Sequence, residues 1–205
     1  MDLIILHGLG QIDESWIEVK ELIVDSYDIK IPKIFDMIES PISYEKLYNG
    51  IESYLNNIND KFDLCGLSLG GILALNYAFN NPNKINSLIL IGVPYEVPKE
   101  LIIKQNEAFN QMPEELFLSL GLSKNDYMNI INTTFAVDIP KLVDGIKCNT
   151  LVLCGEKDVA NLESAQIIHS KIINSELKII KDSGHVVNSD NPEELAKIIK
   201  EFSCK

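Results

Sequence analysis

The chain has 205 residues, 46% of them hydrophobic, which is enough for one domain with a buried core. Its 30 acidic and 18 basic residues give a formal net charge of −12, and every basic residue is lysine, because the sequence contains no arginine. This charge argues against nucleic acid and anionic membranes as partners, and the sequence predicts neither a signal peptide nor a membrane span.

Strand-like and helix-like segments alternate along the chain. The predicted strands are 3–6, 27–31, 62–66, 85–92, 150–154 and 176–181. The predicted helices between them are 15–24, 43–58, 69–79, 163–173 and 192–202. This alternation predicts an α/β fold, with a mainly parallel sheet of about six strands and helices on both faces. Ligands of such sheets bind beyond the carboxyl ends of the strands.

The segment from about 94 to 147 interrupts this alternation. It has no strand signal but three helix starts, at Pro98, Pro113 and Ser123, and Gly121 would end the middle helix. We therefore expect a single domain, 1–205, with a helical insertion between the fourth and fifth strands.

The most informative motif is Gly-Leu-Ser-Leu-Gly at 66–70, between a predicted strand and a predicted helix. Glycines at its first and last positions permit a very tight turn, which would expose the hydroxyl of Ser68 above the sheet. The amide of Leu69 would then lie at a helix N-terminus, where it can stabilise an oxyanion. A glycine-rich turn without catalytic function has the same pattern.

A nucleophilic serine needs a histidine base and a carboxylate that orients it. The chain has three histidines, and His185 is the best candidate because it follows the last predicted strand in a Ser-Gly-His loop. His169 lies within a predicted helix and His7 follows the first strand. Asp158 follows the fifth strand and is the preferred carboxylate, with Glu156 as the alternative.

These motifs, taken in order, resemble those of the α/β-hydrolase family. His-Gly-Leu-Gly at 7–10 resembles its oxyanion loop, 66–70 its nucleophile elbow, 153–158 its acid loop, and Gly184-His185 its histidine motif. The resemblance implies Ser68 as nucleophile, His185 as base and Asp158 as the orienting acid. It also implies an oxyanion hole formed by the amides of Leu9 and Leu69, with His7 shaping the oxyanion loop.

The resemblance further implies that the insertion at 94–147 is a helical cap over the active site. Its aromatic side chains, among them Phe109, Phe117 and Phe135, either pack the cap onto the domain or line an acyl pocket. With His7, these three are the candidate pocket residues. One departure from the family is the absence of a glycine-rich loop after Asp36, which leaves that wall of the pocket open to question.

The sequence predicts a cytoplasmic serine hydrolase, most specifically a carboxylesterase acting on a small-molecule ester with a short or medium acyl chain. An uncharged ester is favoured because the arginine that clamps carboxylates is absent. Thioester, lactone or C–C bond hydrolysis, perhydrolysis, and non-catalytic ligand binding remain alternatives.

This chemistry requires no cofactor or metal, and the cysteines show no metal-ligand spacing. We expect Cys65, Cys148, Cys154 and Cys204 to be reduced. The oligomeric state is left open.

Overall fold

The computed structural model describes residues 1–203, and its centre is a six-stranded parallel sheet with strand order β2-β1-β3-β4-β5-β6. The strands are β1 Asp2–Leu6, β2 Asp28–Lys30, β3 Phe62–Leu67, β4 Ile85–Ile91, β5 Asn149–Gly155 and β6 Ser175–Ile180. Each predicted strand is therefore present, and its ends are at most two residues from those predicted. The predicted fold class is confirmed.

Ten α-helices connect or flank these strands in the part of the chain that is described. They are α1 Ile17–Ile23, α2 Tyr44–Asn56, α3 Leu69–Asn80, α4 Lys99–Gln111, α5 Glu114–Leu118, α6 Lys124–Thr134, α7 Ile139–Asp144, α8 Leu162–Lys171, α9 Val187–Asp190 and α10 Pro192–Ser203. The sequence interpretation missed α7, α9 and a 3₁₀ turn at Asp13–Trp16. These elements have four to six residues, which is too short for a helical hydrophobic period to show.

Two apolar clusters hold the helices against opposite faces of the sheet. Successive side chains of β1 alternate between them: Ile4 and Leu6 pack on the side of α2 and α3, whereas Leu3 and Ile5 pack on the side of α1 and α10. Because both faces are covered, the inner strands β1, β4 and β5 contain continuous apolar runs, as expected for a buried parallel sheet, whereas the edge strands β2 and β6 also carry charged residues.

Helices α4–α7, which we call the cap helices, all lie between β4 and β5 in the chain. Four hydrogen bonds join helix α6 to the loop before α2 and to the first residue of α2, and in one of them the Ser40 hydroxyl donates to Asp126 at 3.0 Å. Asp126 accepts from the amide of Ile42 at 2.7 Å, Asn129 donates to the carbonyl of Ile42 at 2.6 Å, and Thr133 accepts from the amide of Tyr44 at 2.9 Å. The loop after Asp36, which lacks the glycines typical of the family, thus helps to hold α6 in place.

Cys65, Cys148 and Cys154 are free, and Cys204 lies outside the described residues. Within residues 1–203, no helix combines the length and the apolar character that crossing a bilayer requires.

Candidate active site

Ser68 occupies a sharp turn between β3 and α3, at the carboxyl edge of the sheet. Its backbone has φ 53° and ψ −115°, a conformation that a residue with a side chain rarely adopts. The Ser68 amide donates to the carbonyl of Ile91 at 2.8 Å, which holds the strained turn against the neighbouring strand.

The flanking glycines are required by the close approach of the backbone. A Cβ on Gly66 would lie 2.2 Å from the carbonyl oxygen of Gly70, and a Cβ on Gly70 would lie 2.0 Å from that of Leu6. No side chain fits at either position. The strand, turn and helix expected from the motif are all present, and they place residues 66–70 at the carboxyl edge of the sheet.

His185 and Asp158 form a close pair at the same edge of the sheet. Nδ1 of His185 lies 2.7 Å from Oδ2 of Asp158, whose side chain is 5% exposed, whereas that of His185 is 40% exposed. The loops after β5 and β6 bring the pair together, since these strands are neighbours in the sheet. Asp158 is therefore a buried anchor for a histidine that remains accessible.

Asn161 completes the surroundings of this carboxylate. Its Nδ2 donates to both Oδ1 and Oδ2 of Asp158 at 3.0 Å, and it lies 3.3 Å from Nδ1 of His185. Cys154 also lies beneath Asp158, with its Sγ 3.9 Å from Oδ2. Burial, together with the nearby carboxylate, raises the pKa of the Cys154 thiol to about 12, so that this group is neutral.

The Asp158 carboxyl is ionised in this setting. Burial alone would raise its pKa, but the hydrogen bond and the charge of His185, with the hydrogen bonds from Asn161, outweigh burial and bring the pKa below its usual value. A carboxylate only accepts hydrogen bonds, so Nδ1 of His185 must carry the proton that lies between them. When the imidazole is neutral, its lone pair is then on Nε2.

The alternative residues lie elsewhere. Glu156 accepts a hydrogen bond from the backbone amide of Asp182 at 3.2 Å, and Asp158 rather than Glu156 contacts His185. His169, on α8, pairs with the hydroxyl of Ser175 at 2.8 Å.

The loop after β1 is fixed by buried polar contacts. His7 is 1% exposed, and its Nδ1 lies 3.1 Å from the carbonyl of Gly8. Burial lowers the pKa of His7, because desolvation outweighs the carbonyl and the nearby carboxylates that favour the charged ring. Gly10 has φ 79°, which carries the loop through a turn that favours glycine.

Gln11 connects this loop to the segment that follows His185. Its Oε1 accepts from the amide of Gly8 at 3.1 Å, and its Nε2 donates to Oδ1 of Asn188 at 3.0 Å. The Asn188 amide in turn donates to the carbonyl of Ser15 at 2.7 Å. Because Gln11 and Asn188 are buried, this bridge sets the position of one loop relative to the other.

A cavity of about 420 Å³ opens over these groups, a size in the ~300–1,000 Å³ range of small-molecule sites. Its floor includes Leu9, Ser68, Leu69 and His185. Its roof includes Tyr127 of α6 and Phe135, the residue that follows α6. The polar side chains in its described lining are Ser68, Gln105, Tyr127, Thr134, Asn161 and His185, and none of these residues is Lys, Asp or Glu.

No family model matches the chain, but individual proteins are similar over most of its length. A Bacillus subtilis (strain 168) protein provisionally named 2-succinyl-6-hydroxy-2,4-cyclohexadiene-1-carboxylate synthase is 24% identical over 98% of this chain and 89% of its own length. A carboxylesterase of the same organism is 24% identical over 74% of this chain and 71% of its own. The structure of MenH from S. aureus superposes with a TM-score of 0.83 at 19% identity, covering 98% of this chain and 92% of that one, which shows a shared fold.

The chain has the α/β-hydrolase fold, and its sequence is similar to proteins of that superfamily. The four segments that the sequence interpretation matched to this family, 7–10, 66–70, 153–158 and 184–185, lie along one edge of the sheet. The relatives by sequence include enzymes of several activities, so the resemblance does not itself fix the substrate.

The pocket residues expected from the sequence lie in three different settings. Phe135 lines the cavity. Phe109 and Phe117 pack edge to face with Tyr127, at ring-centroid distances of 5.5 and 5.1 Å, and Phe117 is 1% exposed. His7 is buried beneath the oxyanion loop, beside the ring of Phe35 at 5.3 Å. Of the four, only Phe135 is among the residues that line this cavity.

Three residues of the candidate site escaped the sequence interpretation: Asn161, Gln11 and Gly92. Gly92, at φ 56°, ends β4 so close to the pair that a Cβ there would lie 3.1 Å from Nδ1 of His185 and 3.3 Å from Oδ2 of Asp158. Its position at the end of a predicted strand was the available signal. Nothing in the sequence distinguished Asn161 from other asparagines near helix starts.

Proposed function

We propose that this α/β-hydrolase is a serine carboxylesterase, with Ser68 as nucleophile, His185 as base and Asp158 as the residue that orients the base. The observation that carries the proposal is the 2.7 Å contact between His185 and a buried, ionised Asp158, on the same cavity as the strained Ser68. A strained backbone and a buried carboxylate both cost stability, and such features cluster at functional sites. The hydrolases among its relatives support the same class of reaction.

The protonation state of the pair supports this assignment of roles. With the proton held on Nδ1, the Nε2 lone pair of His185 accepts the hydroxyl proton of Ser68 as Oγ attacks the ester carbonyl. The tetrahedral oxyanion lies near the amides of Leu9 and Leu69, both residues of the cavity lining. As the C–O bond breaks, His185 returns the proton to the leaving alcohol, and water then releases the acid by the same two transfers.

The cavity lining supports an uncharged acyl group as the substrate. A buried carboxylate needs a cation or several donors to replace its hydration, and the lining has no lysine among its described residues. The carboxylate in the name of the B. subtilis relative's product therefore has no evident cationic partner in this cavity. We also propose a cytoplasmic location, which the free state of Cys65, Cys148 and Cys154 supports.

The test is labelling by a fluorophosphonate probe, combined with hydrolysis of p-nitrophenyl butanoate. We expect the probe to label Ser68, and Ser68→Ala and His185→Ala to lower kcat by roughly 10⁴- to 10⁶-fold without unfolding the protein. Asp158→Asn should cost about 10⁴-fold, since it permits the wrong tautomer, whereas Glu156→Gln should change little.

Ser119→Ala is the matched control, because Ser119 is an exposed serine at the end of α5. It should leave labelling and turnover unchanged. Labelling of any serine other than Ser68, or full turnover by Ser68→Ala, would refute the proposal. Binding of esters without turnover by the wild type would instead indicate a non-catalytic binder.

A further inference from the structure

A second cavity, of about 340 Å³, adjoins the catalytic one. The two share five lining residues: Ile72, Pro94, Val97, Thr134 and Phe135. Six further residues line only the second cavity: Tyr95, Glu96, Val137, Asp138, Ile139 and Pro140. The shared side chains, which we call the waist, lie between the two cavities; Ile72 is one helical turn beyond Ser68 on α3, and Thr134 and Phe135 are at the end of α6.

The position of this cavity relative to His185 indicates which part of an ester would reach it. The leaving alcohol must lie beside His185, which protonates it. His185 and Asn161 line the catalytic cavity only, whereas Ile72, four residues after Ser68, lines both. A group that extends from the carbonyl carbon away from His185 therefore heads toward the waist.

We infer that this second cavity, which we call the distal chamber, holds the far end of the substrate's acyl chain, so that the enzyme favours a medium over a short acyl group. The inference rests on the proposed esterase function. Carbon atoms next to the carbonyl occupy the catalytic cavity, and those beyond the waist contact Val137 and Ile139. The exposed Glu96 and Asp138 at the distal chamber disfavour an acyl chain that ends in a carboxylate.

The primary experiment compares kcat/KM for p-nitrophenyl butanoate and octanoate. In the wild type, each added methylene that becomes buried should raise kcat/KM by up to roughly fourfold. Val137 is half-buried and lines the distal chamber, so Val137→Trp should fill that chamber. We expect this variant to lower kcat/KM for octanoate about tenfold or more, and to leave kcat/KM for butanoate within about twofold of the wild-type value. Leu116→Trp, at an exposed site on α5 that lines neither cavity, is the matched control and should change neither value.

A binding measurement separates this inference from the esterase proposal. In the Ser68→Ala background, calorimetry with methyl butanoate and methyl octanoate should show tighter binding of octanoate, and Val137→Trp should abolish that difference. If the wild type hydrolyses no ester but this difference is found, the esterase proposal fails and the chamber stands. If esters are hydrolysed but octanoate has no advantage, or Val137→Trp weakens both probes equally, the inference is overturned.

Glu96→Lys provides a test that does not depend on how Val137→Trp folds, since Glu96 is exposed. It should raise kcat/KM for the p-nitrophenyl monoester of octanedioic acid relative to the octanoate by about two- to fivefold, the range of one surface charge pair. Glu115→Lys, an exposed change of equal charge on α5, is its control. Equal effects of the two variants would contradict the placement of the acyl end beside Glu96.

Discussion

Asn161 donates to both oxygens of Asp158, at 3.0 Å each, from the residue before α8. Hydrogen bonds to a charged group contribute about 1.5–3 kcal/mol, so this amide helps to keep the carboxyl ionised and oriented toward His185. Asn161 therefore acts through Asp158, as a positioning residue, even though it also lines the cavity.

Replacing Asn161 with leucine should lower kcat by about tenfold and shift the acid side of the stability profile to higher pH. The pKa of Asp158 lies below its usual value in the folded protein, so its ionised form contributes stability above the unfolded pKa of 3.8, and this is lost as pH falls through the folded pKa. Removing the amide moves the folded pKa of Asp158 upward, so stability should be lost at a higher pH. Profiles of kcat and of denaturant unfolding between about pH 3 and 7 measure this.

Asn174→Leu is the matched control for this residue, because Asn174 is exposed and donates to a backbone carbonyl far along the chain, that of Lys147. It should leave the pH profile in place. A rise in KM alone in Asn161→Leu, with the pH dependence of stability unchanged, would show that Asn161 contacts the substrate and does not position Asp158.

At the scale of elements, the site depends on loops that are distant in sequence. The oxyanion loop after β1 and helix α9 after His185 are separated by 177 positions between Gln11 and Asn188, yet these two side chains bond at 3.0 Å. The parallel sheet makes this possible because it brings the carboxyl ends of all its strands to one edge. The proposed nucleophile, base and oxyanion loop thus follow separate strands of one sheet.

The cap helices contain two kinds of aromatic residue, and substitutions should separate them. Phe117 is buried within the cluster with Phe109 and Tyr127, so Phe117→Ala should cost about 3–5 kcal/mol of unfolding free energy, with acyl-length preference unchanged. Phe135 is half-buried at the waist, so Phe135→Ala should change acyl-length preference at a smaller cost in stability. Denaturant unfolding, measured beside a series of p-nitrophenyl esters, tests both.

These two variants serve as controls for each other, since each removes one aromatic ring from the cap helices. If Phe117→Ala altered acyl preference while stability stayed unchanged, Phe117 would line the pocket after all. If Phe135→Ala cost as much stability as Phe117→Ala and left preference unchanged, the waist would be part of the core.

At the scale of the whole molecule, the net charge of −12 acts on every substrate that approaches. An anionic ester would enter against this field and would meet no lysine among the described residues of the catalytic cavity. Lys124, which lies over the ring of Phe117 in the aromatic cluster, already donates to the carbonyls of Asn110 and Met112 at 2.7 and 2.8 Å.

A neutral acyl ester should therefore have a higher kcat/KM than its ω-carboxylate analogue of equal length, and the gap should narrow as salt is added. Salt screens the long-range repulsion, with a Debye length of about 10 Å at 0.1 M, but it does not change the desolvation of a carboxylate inside the cavity. Values of kcat/KM for both esters, measured from about 0.01 to 0.5 M NaCl, separate the repulsion, which salt weakens, from the desolvation cost, which salt leaves unchanged. Faster turnover of the carboxylate at low salt would contradict this and indicate an anion-binding lysine near the cap, such as Lys99 or Lys104.

The sequence by itself determined the strand order in the chain, the parallel α/β class, and the positions of Ser68, Asp158 and His185 at strand ends. These features depend on local patterns: apolar runs that form strands, glycines that permit the turn at Ser68, and loops that follow each strand. Such local patterns can be recognised in the amino-acid sequence alone.

Only the tertiary structure decided which side chains come into contact with one another. Asp158 rather than Glu156 contacts His185, Asn161 holds that carboxylate, and Phe135 lines the cavity while Phe117 is buried away from it. Glu156 and Asp158 are two residues apart and chemically alike, so the direction in which the loop after β5 turns selects between them. That direction is set by the packing of β5 against β6 and by hydrogen bonds between distant loops, and these long-range contacts are not encoded in any local pattern.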